Sequence, residues 1–304
     1  MGAVIALRPD ATAGRGGSES TPRSSDTLDV VVSVAPLIWP VKALAPDARV
    51  TLLAPAGAGC EGVDLTPSNV FALERADFVV LTGLGLEPQI EKLLGGSEKN
   101  GRTVVRIADV LSEAEREARE HDHAHDDDDD HEHHDHAPDQ HLWLEPAIME
   151  RFVEQLTTRL ARDGAAREQA LATVRAIDDE YRKQLTPFAG RAIVTQHGAF
   201  DRLAERYGLK VAAVLQREHG AEPSPGDIAR AAEAVRREKV RAVFVEPQLP
   251  SEAARRVAEI TGARVLALDP LGDGDWPALM RRNLAALVDG LAGDAPPVRD
   301  QPQE

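Results

Sequence analysis

The chain has 304 residues, 42% of them hydrophobic, which is enough to bury one large core or two of medium size. Its formal net charge of −16 argues against a basic nucleic-acid surface and favours attraction to cations, and no apolar run approaches the ~20 residues needed to span a bilayer. The single cysteine, Cys60, excludes an internal disulfide and a multi-cysteine zinc finger.

Residues 1–27 are expected to form a disordered tail or the remnant of a secretory signal; a short apolar start turns polar through 8–26, without a basic leader or a full-length apolar stretch. Short β-branched runs at 28–34, 49–54, 77–82 and 103–107 predict buried strands, with helices at 36–45, 67–75 and 87–95 between them. This alternation is that of a parallel α/β lobe. Thr66 before Pro67 is a helix-start signal.

Residues 121–136 read HDHAHDDDDDHEHHDH and predict a solvated, mobile loop. Its eight acids account for half of the net charge of −16. Seven histidines (His121, His123, His125, His131, His133, His134 and His136) interleave with them, which suits weak, flexible sites for divalent ions.

HLWLEP at 141–146 then opens a helical stretch to about 161, and Gly164 interrupts it. A second helix is predicted over 165–186, with Leu171, Val174, Tyr181 and Leu185 on one face and Pro187 at its end. At 1.5 Å per residue it would run roughly 33 Å. The second half repeats the alternation, with strands at 191–195, 210–215, 240–245 and 264–268 and helices at 198–207, 226–238, 251–261 and 276–291. Residues 292–304 read as a disordered tail, and no internal sequence repeat is evident. The expected fold is therefore α/β in both halves, with parallel-rich sheets over 28–163 and 188–291 and the long helix at 164–187 between them in sequence.

Four residues stand where open α/β sheets bind ligands, beyond the carboxyl ends of strands. Glu61 follows the strand at 49–54, His141 follows the polar loop, His197 lies just past 191–195, and Asp269 ends 264–268. Two fall in each half, as a site between lobes requires. Imidazole with carboxylate suits Zn2+, and also Mn2+ or Fe2+. Position alone leaves other uses open: a strand-end histidine can simply be hydrogen-bonded, Asp269-Pro270 can start a turn, and Glu61 can be an exposed loop acid.

LTPSNV at 65–70, ADFVVLTG at 76–83, the His/Asp loop directly before HLWLEP, QHGAF at 196–200, RYGL at 206–209, AEPSP at 221–225, VFVEPQ at 243–248 and TGARVLALDPLG at 261–272 follow one another in this order. In order and spacing the chain resembles the zinc- and manganese-binding solute receptors of bacterial ABC importers, most closely their zinc branch. The resemblance runs from about 28 to 291. It implies two α/β lobes joined by one long rigid helix, a metal held in the cleft between them, and His141, His197 and Asp269 as ligands. The family's usual first histidine is replaced by Glu61. That place could be filled by Glu61 itself, by a Cys60 thiolate, or by water. Two histidines with two carboxylates make a harder set than three histidines with one, which shifts preference toward manganese or iron. Glu246 is placed behind a ligand histidine, where it would orient the ring, or at a cap or hinge. Glu222 and His219 would border the cleft. The resemblance further implies a periplasmic or extracytoplasmic, monomeric protein, not an enzyme, that hands its metal to the membrane permease of an ABC importer. No HExxH-like motif supports a metal-dependent hydrolase; a metal buffer or adhesion protein working through the His-rich loop is the other alternative.

Overall fold

The computed structural model describes residues 27–54, 65–95, 102–117, 139–160, 164–216 and 222–293. The described residues form two four-stranded parallel sheets. The first contains β1 (Asp29–Val32), β2 (Arg49–Leu52), β3 (Phe78–Leu81) and β4 (Thr103–Arg106) in the order β2-β1-β3-β4. The second contains β5 (Ala192–His197), β6 (Lys210–Gln216), β7 (Ala242–Val245) and β8 (Arg264–Ala267) in the order β6-β5-β7-β8. The two orders are the same, so the topology repeats where the residues do not.

The helices of the first half are α1 (Ile38–Leu44), α2 (Pro67–Arg75), α3 (Pro88–Leu94), a short α4 (Glu113–Glu117) and α5 (Pro146–Leu160). The long α6 (Gly164–Leu185) separates the sheets in sequence. Then come α7 (Asp201–Arg206), α8 (Pro225–Arg237), α9 (Glu252–Thr261) and α10 (Trp276–Ala292). Thr66 caps α2 by accepting from Asn69 N at 3.2 Å, with Pro67 in the first turn. Ser224 and Asp227 form a capping box on α8.

Parallel strands are buried on both faces, and the alternation of side chains sends each face to a different core. Val30, Val32 and Val80 enter the largest core, while Val31, Val79 and Leu81 face Leu73 and Ile90 beneath α2 and α3. In the second sheet Ile193, Ala242 and Phe244 join the same large core; Val194 and Val243 pack under α8 and α9. The largest core is thus continuous through both halves, filled by side chains of α1, α5, α6 and α10. Burial does not extend to every predicted strand. β2 alternates exposed and half-buried residues, and β8 is exposed at both ends, because each lies at a sheet edge.

α6 buries Leu171, Val174, Tyr181 and Leu185, as its periodicity predicts, and adds Ala170, Ile177 and Asp178. Tyr181 Oη donates to Met280 O at 2.7 Å, tying α6 to α10. α10 approaches the second sheet closely because residue 290 is glycine: a Cβ there would lie 2.6 Å from Phe244 Cζ.

Candidate metal centre

In a sheet of order 2-1-3-4 the chain reverses direction between the two central strands, and the crevice beyond their carboxyl ends receives ligands. In the second sheet those strands are β5 and β7. β5 is buried throughout and ends on His197; Glu246 follows β7. His197 Nδ1 lies 2.9 Å from Glu246 Oε1, both side chains being buried. Glu246 is itself held, since its backbone N donates to Gln196 Oε1 at 3.2 Å.

At the corresponding end of the first sheet a buried carboxylate, Glu87, stands in the turn after β3. Glu87 accepts from Thr82 N and Gly83 N at 2.8 and 3.0 Å, and burial pushes its carboxyl above the ordinary range against those hydrogen bonds. It closes a turn in which Gly83, Leu84 and Gly85 all take left-handed backbone angles.

His141 enters from neither sheet. It precedes a single 3-10 turn, 142–144, on a short strap, 139–145, running into α5. Asp139 fixes it twice: Oδ1 accepts from His141 N at 2.9 Å and lies 3.0 Å from His141 Nδ1. The rings of His141 and His197 meet edge to face, their centroids 4.9 Å apart. The structure therefore brings together one histidine from each half, each with Nδ1 against a buried carboxylate. Nε2 is then the nitrogen that would meet a metal.

Asp269 follows β8 and is half-buried. Its Oδ1 accepts from Leu271 N, Gly272 N and Gln248 Nε2 at 2.9, 3.1 and 2.8 Å, so the Asp269-Pro270 turn is real. Its backbone is clamped by Asn283, which accepts from Asp269 N and donates to Asp269 O. Among the described residues no three His, Cys, Asp or Glu side chains gather closely enough to hold an ion, so Asp269 does not close on the histidine pair as a finished shell. Trp143 nonetheless links the two regions, its Nε1 donating to Pro270 O at 2.6 Å. Glu222 is exposed on the segment leading into α8 and is not packed on the pair. Glu61, Cys60, His219 and the seven histidines of 121–136 lie outside the described residues.

A family model described as "ZnuA: Zinc-uptake complex component A periplasmic" matches residues 30–290. The chain belongs to the ZnuA family. The High-affinity zinc uptake system protein ZnuA of Bacillus subtilis (strain 168) is 28% identical over 301 residues, covering 90% of this chain and 92% of that protein. The Zinc-binding lipoprotein AdcA of Streptococcus pneumoniae serotype 4 is 28% identical over 298 residues, covering 91% of this chain; the chain spans 58% of that relative's length. A solved ZnuA structure superposes with a TM-score of 0.71 at 23% identity, over 87% of this chain and 99% of the other, which extends the family likeness to the fold. No described helix is long and apolar enough to cross a membrane.

Asp139 and Trp143 escaped the reading of the sequence. Asp139 carried one usable signal, an aspartate two residues before a histidine, the spacing at which an Asp side chain accepts the i+2 backbone N–H. Trp143 carried none, because its partner lies 127 residues away.

Proposed function

We propose that this ZnuA-family chain captures a divalent metal, zinc before manganese or iron, between its two halves and delivers it to the membrane permease of an ABC importer. The observation that carries this reading is the pair His141 and His197. Two imidazoles converge, His197 from the end of β5 and His141 from the strap before α5, and each has its Nδ1 against a buried carboxylate. Such a carboxylate fixes the tautomer and ring orientation and raises the basicity of the ligating nitrogen. Two nitrogen ligands favour zinc over the oxygen-preferring ions. Asp269 supplies a third ligand, and the place of the family's first histidine is filled by Glu61. Capture needs no catalytic base; the protein is expected to act as a monomer, and on the outer side of the cytoplasmic membrane, the latter because the family description reads periplasmic.

The test is calorimetric titration of zinc into His141→Ala and His197→Ala. Each is expected to abolish the high-affinity step, because the shell loses one of about four ligands. Unchanged affinity in either variant removes that residue from the site.

A further inference from the structure

The strap at 139–145 is bolted to both halves of the molecule. On the first-half side, Gln140 Nε2 donates to Leu84 O at 2.7 Å, in the left-handed turn after β3. On the second-half side, Asp139 Oδ2 accepts from Arg202 N at 3.3 Å, and Arg202 Nε donates back to Asp139 O at 3.4 Å. Arg202 lies in the first turn of α7, five residues after His197, and its guanidinium also faces Glu145 at 4.0 Å. One carboxylate therefore touches the segments that carry both histidines: Oδ1 holds His141 and Oδ2 holds the chain leaving His197. Asp139 and Arg202 are both buried.

We propose that Asp139 is a positioning residue that sets the separation of the two metal-binding histidines across the two halves, and so tunes metal affinity without touching the metal. This rests on His141 and His197 being ligands. A carboxylate serving only His141 would need a single acceptor oxygen. Here the second oxygen is spent on a backbone N–H beyond His197, which ties the His141 ring and the chain leaving His197 to one side chain. A buried N–H and a buried ring nitrogen anchored to one group lose their partner together when it is removed.

The neighbouring ion pairs provide the control. Arg206 also joins α7 to other elements, donating to Asp178 Oδ1 and Oδ2 on α6 at 3.0 and 2.8 Å and facing the carboxylate of Glu145, the last residue of the strap, at 3.6 Å, but it bonds neither Asp139 nor either histidine. Asp139→Asn keeps the shape and leaves one oxygen for His141, while turning an amide N–H2 toward the Arg202 N–H. Arg206→Met removes inter-element cement without touching Asp139.

The experiment measures zinc affinity by competition with a chromogenic chelator, the visible absorption of the cobalt(II)-loaded protein, and the metal-free melting temperature. Wild type, Asp139→Asn, Asp139→Ala, Arg206→Met and His141→Ala are compared. Asp139→Asn is expected to weaken zinc binding about tenfold, and Asp139→Ala by up to about a hundredfold, with an altered cobalt band. Arg206→Met is expected to lower the melting temperature and leave zinc affinity and the cobalt spectrum at wild-type values. Zinc affinity of Asp139→Asn within twofold of wild type, with binding lost in His141→Ala, would overturn the positioning role and leave the metal site standing. Zinc affinity falling in step with melting temperature in both Asp139→Asn and Arg206→Met would overturn it as well, as generic destabilisation. Wild-type affinity in His141→Ala would remove the metal site and this inference together.

Discussion

At Asp269 one carboxylate oxygen is consumed by the fold: two backbone N–H groups and Gln248 converge on Oδ1. A ligand role would fall to Oδ2, so the turn and the metal site can coexist on one residue, and the two sequence readings of Asp269 were not true alternatives. Glu246 was singled out because it directly follows a predicted strand, and the structure sets its carboxylate against His197; the sequence left a cap or hinge role equally open. Asp139 was not singled out, because its effect depends on a partner, Arg202, brought beside it only by the packing of α7. With Glu61 as the ligand in the place of the family's histidine, Glu61→Gln is expected to weaken zinc binding and Cys60→Ser to leave it nearly unchanged, because the Gln amide would lack the charge with which Glu61 and Asp269 together formally balance a divalent ion. Glu61→His is expected to bind zinc at least as well as wild type and to lose relative preference for manganese. Isothermal titration of the three variants with each metal checks this. A larger loss in Cys60→Ser than in Glu61→Gln would make the thiolate the ligand.

Elements were legible wherever a local rule fixed them. The Thr66-Pro67 start sits at the cap of α2, and the apolar face of α6 is the one its spacing gives. What a local rule cannot supply is a strand's place in its sheet, and β2 and β8 therefore proved less buried than their composition suggested. Side-chain ties between elements were equally illegible. Arg151 on α5 donates to both carboxylate oxygens of Glu115 on α4, at 2.8 and 2.6 Å, and to Val110 O at 3.1 Å. The Arg151 hydrogen bonds hold the Glu115 carboxyl down to about 2 from 4.5, helped by Ser112 and opposed by burial. A carboxyl depressed in the folded state stabilises fully above its unfolded pKa and loses that contribution as the pH falls through the folded value. Both partners are partly exposed, so solvent limits the pair to about 1 kcal/mol. Glu115→Gln is accordingly expected to lower the urea midpoint at neutral pH, with the gap to wild type narrowing between pH 4.5 and about 2. Urea titrations across that range check it; a gap that stayed constant would mean the ion pair contributes nothing.

At the scale of the molecule, the two sheets share one strand order although no sequence repeat is visible. Topology is carried by the alternation of apolar runs and turns, which many unrelated residues satisfy. The continuous core through both halves could not be read in advance, because hydrophobic pattern says that a face is buried and not against what. The His/Asp-rich segment 121–136 contributes nothing to that core by composition, so its sites should be weak and independent of the histidine pair. Deleting it is expected to leave the tightest zinc-binding step intact and lower the total metal bound, as read by titration and elemental analysis. Loss of the tight step would assign the segment to the site itself. The tryptophans have a consequence of another kind. The chain contains three. Trp39 stacks on Trp276 at 5.3 Å, Trp276 Nε1 donates to Trp143 O at 2.7 Å, and Trp143 lies edge-on to His141 at 5.3 Å. All of the protein's indole emission thus originates in one cluster, Trp143 and Trp276 buried and Trp39 half-buried, abutting the proposed metal site, so metal arriving there would be readable by intrinsic fluorescence without any label.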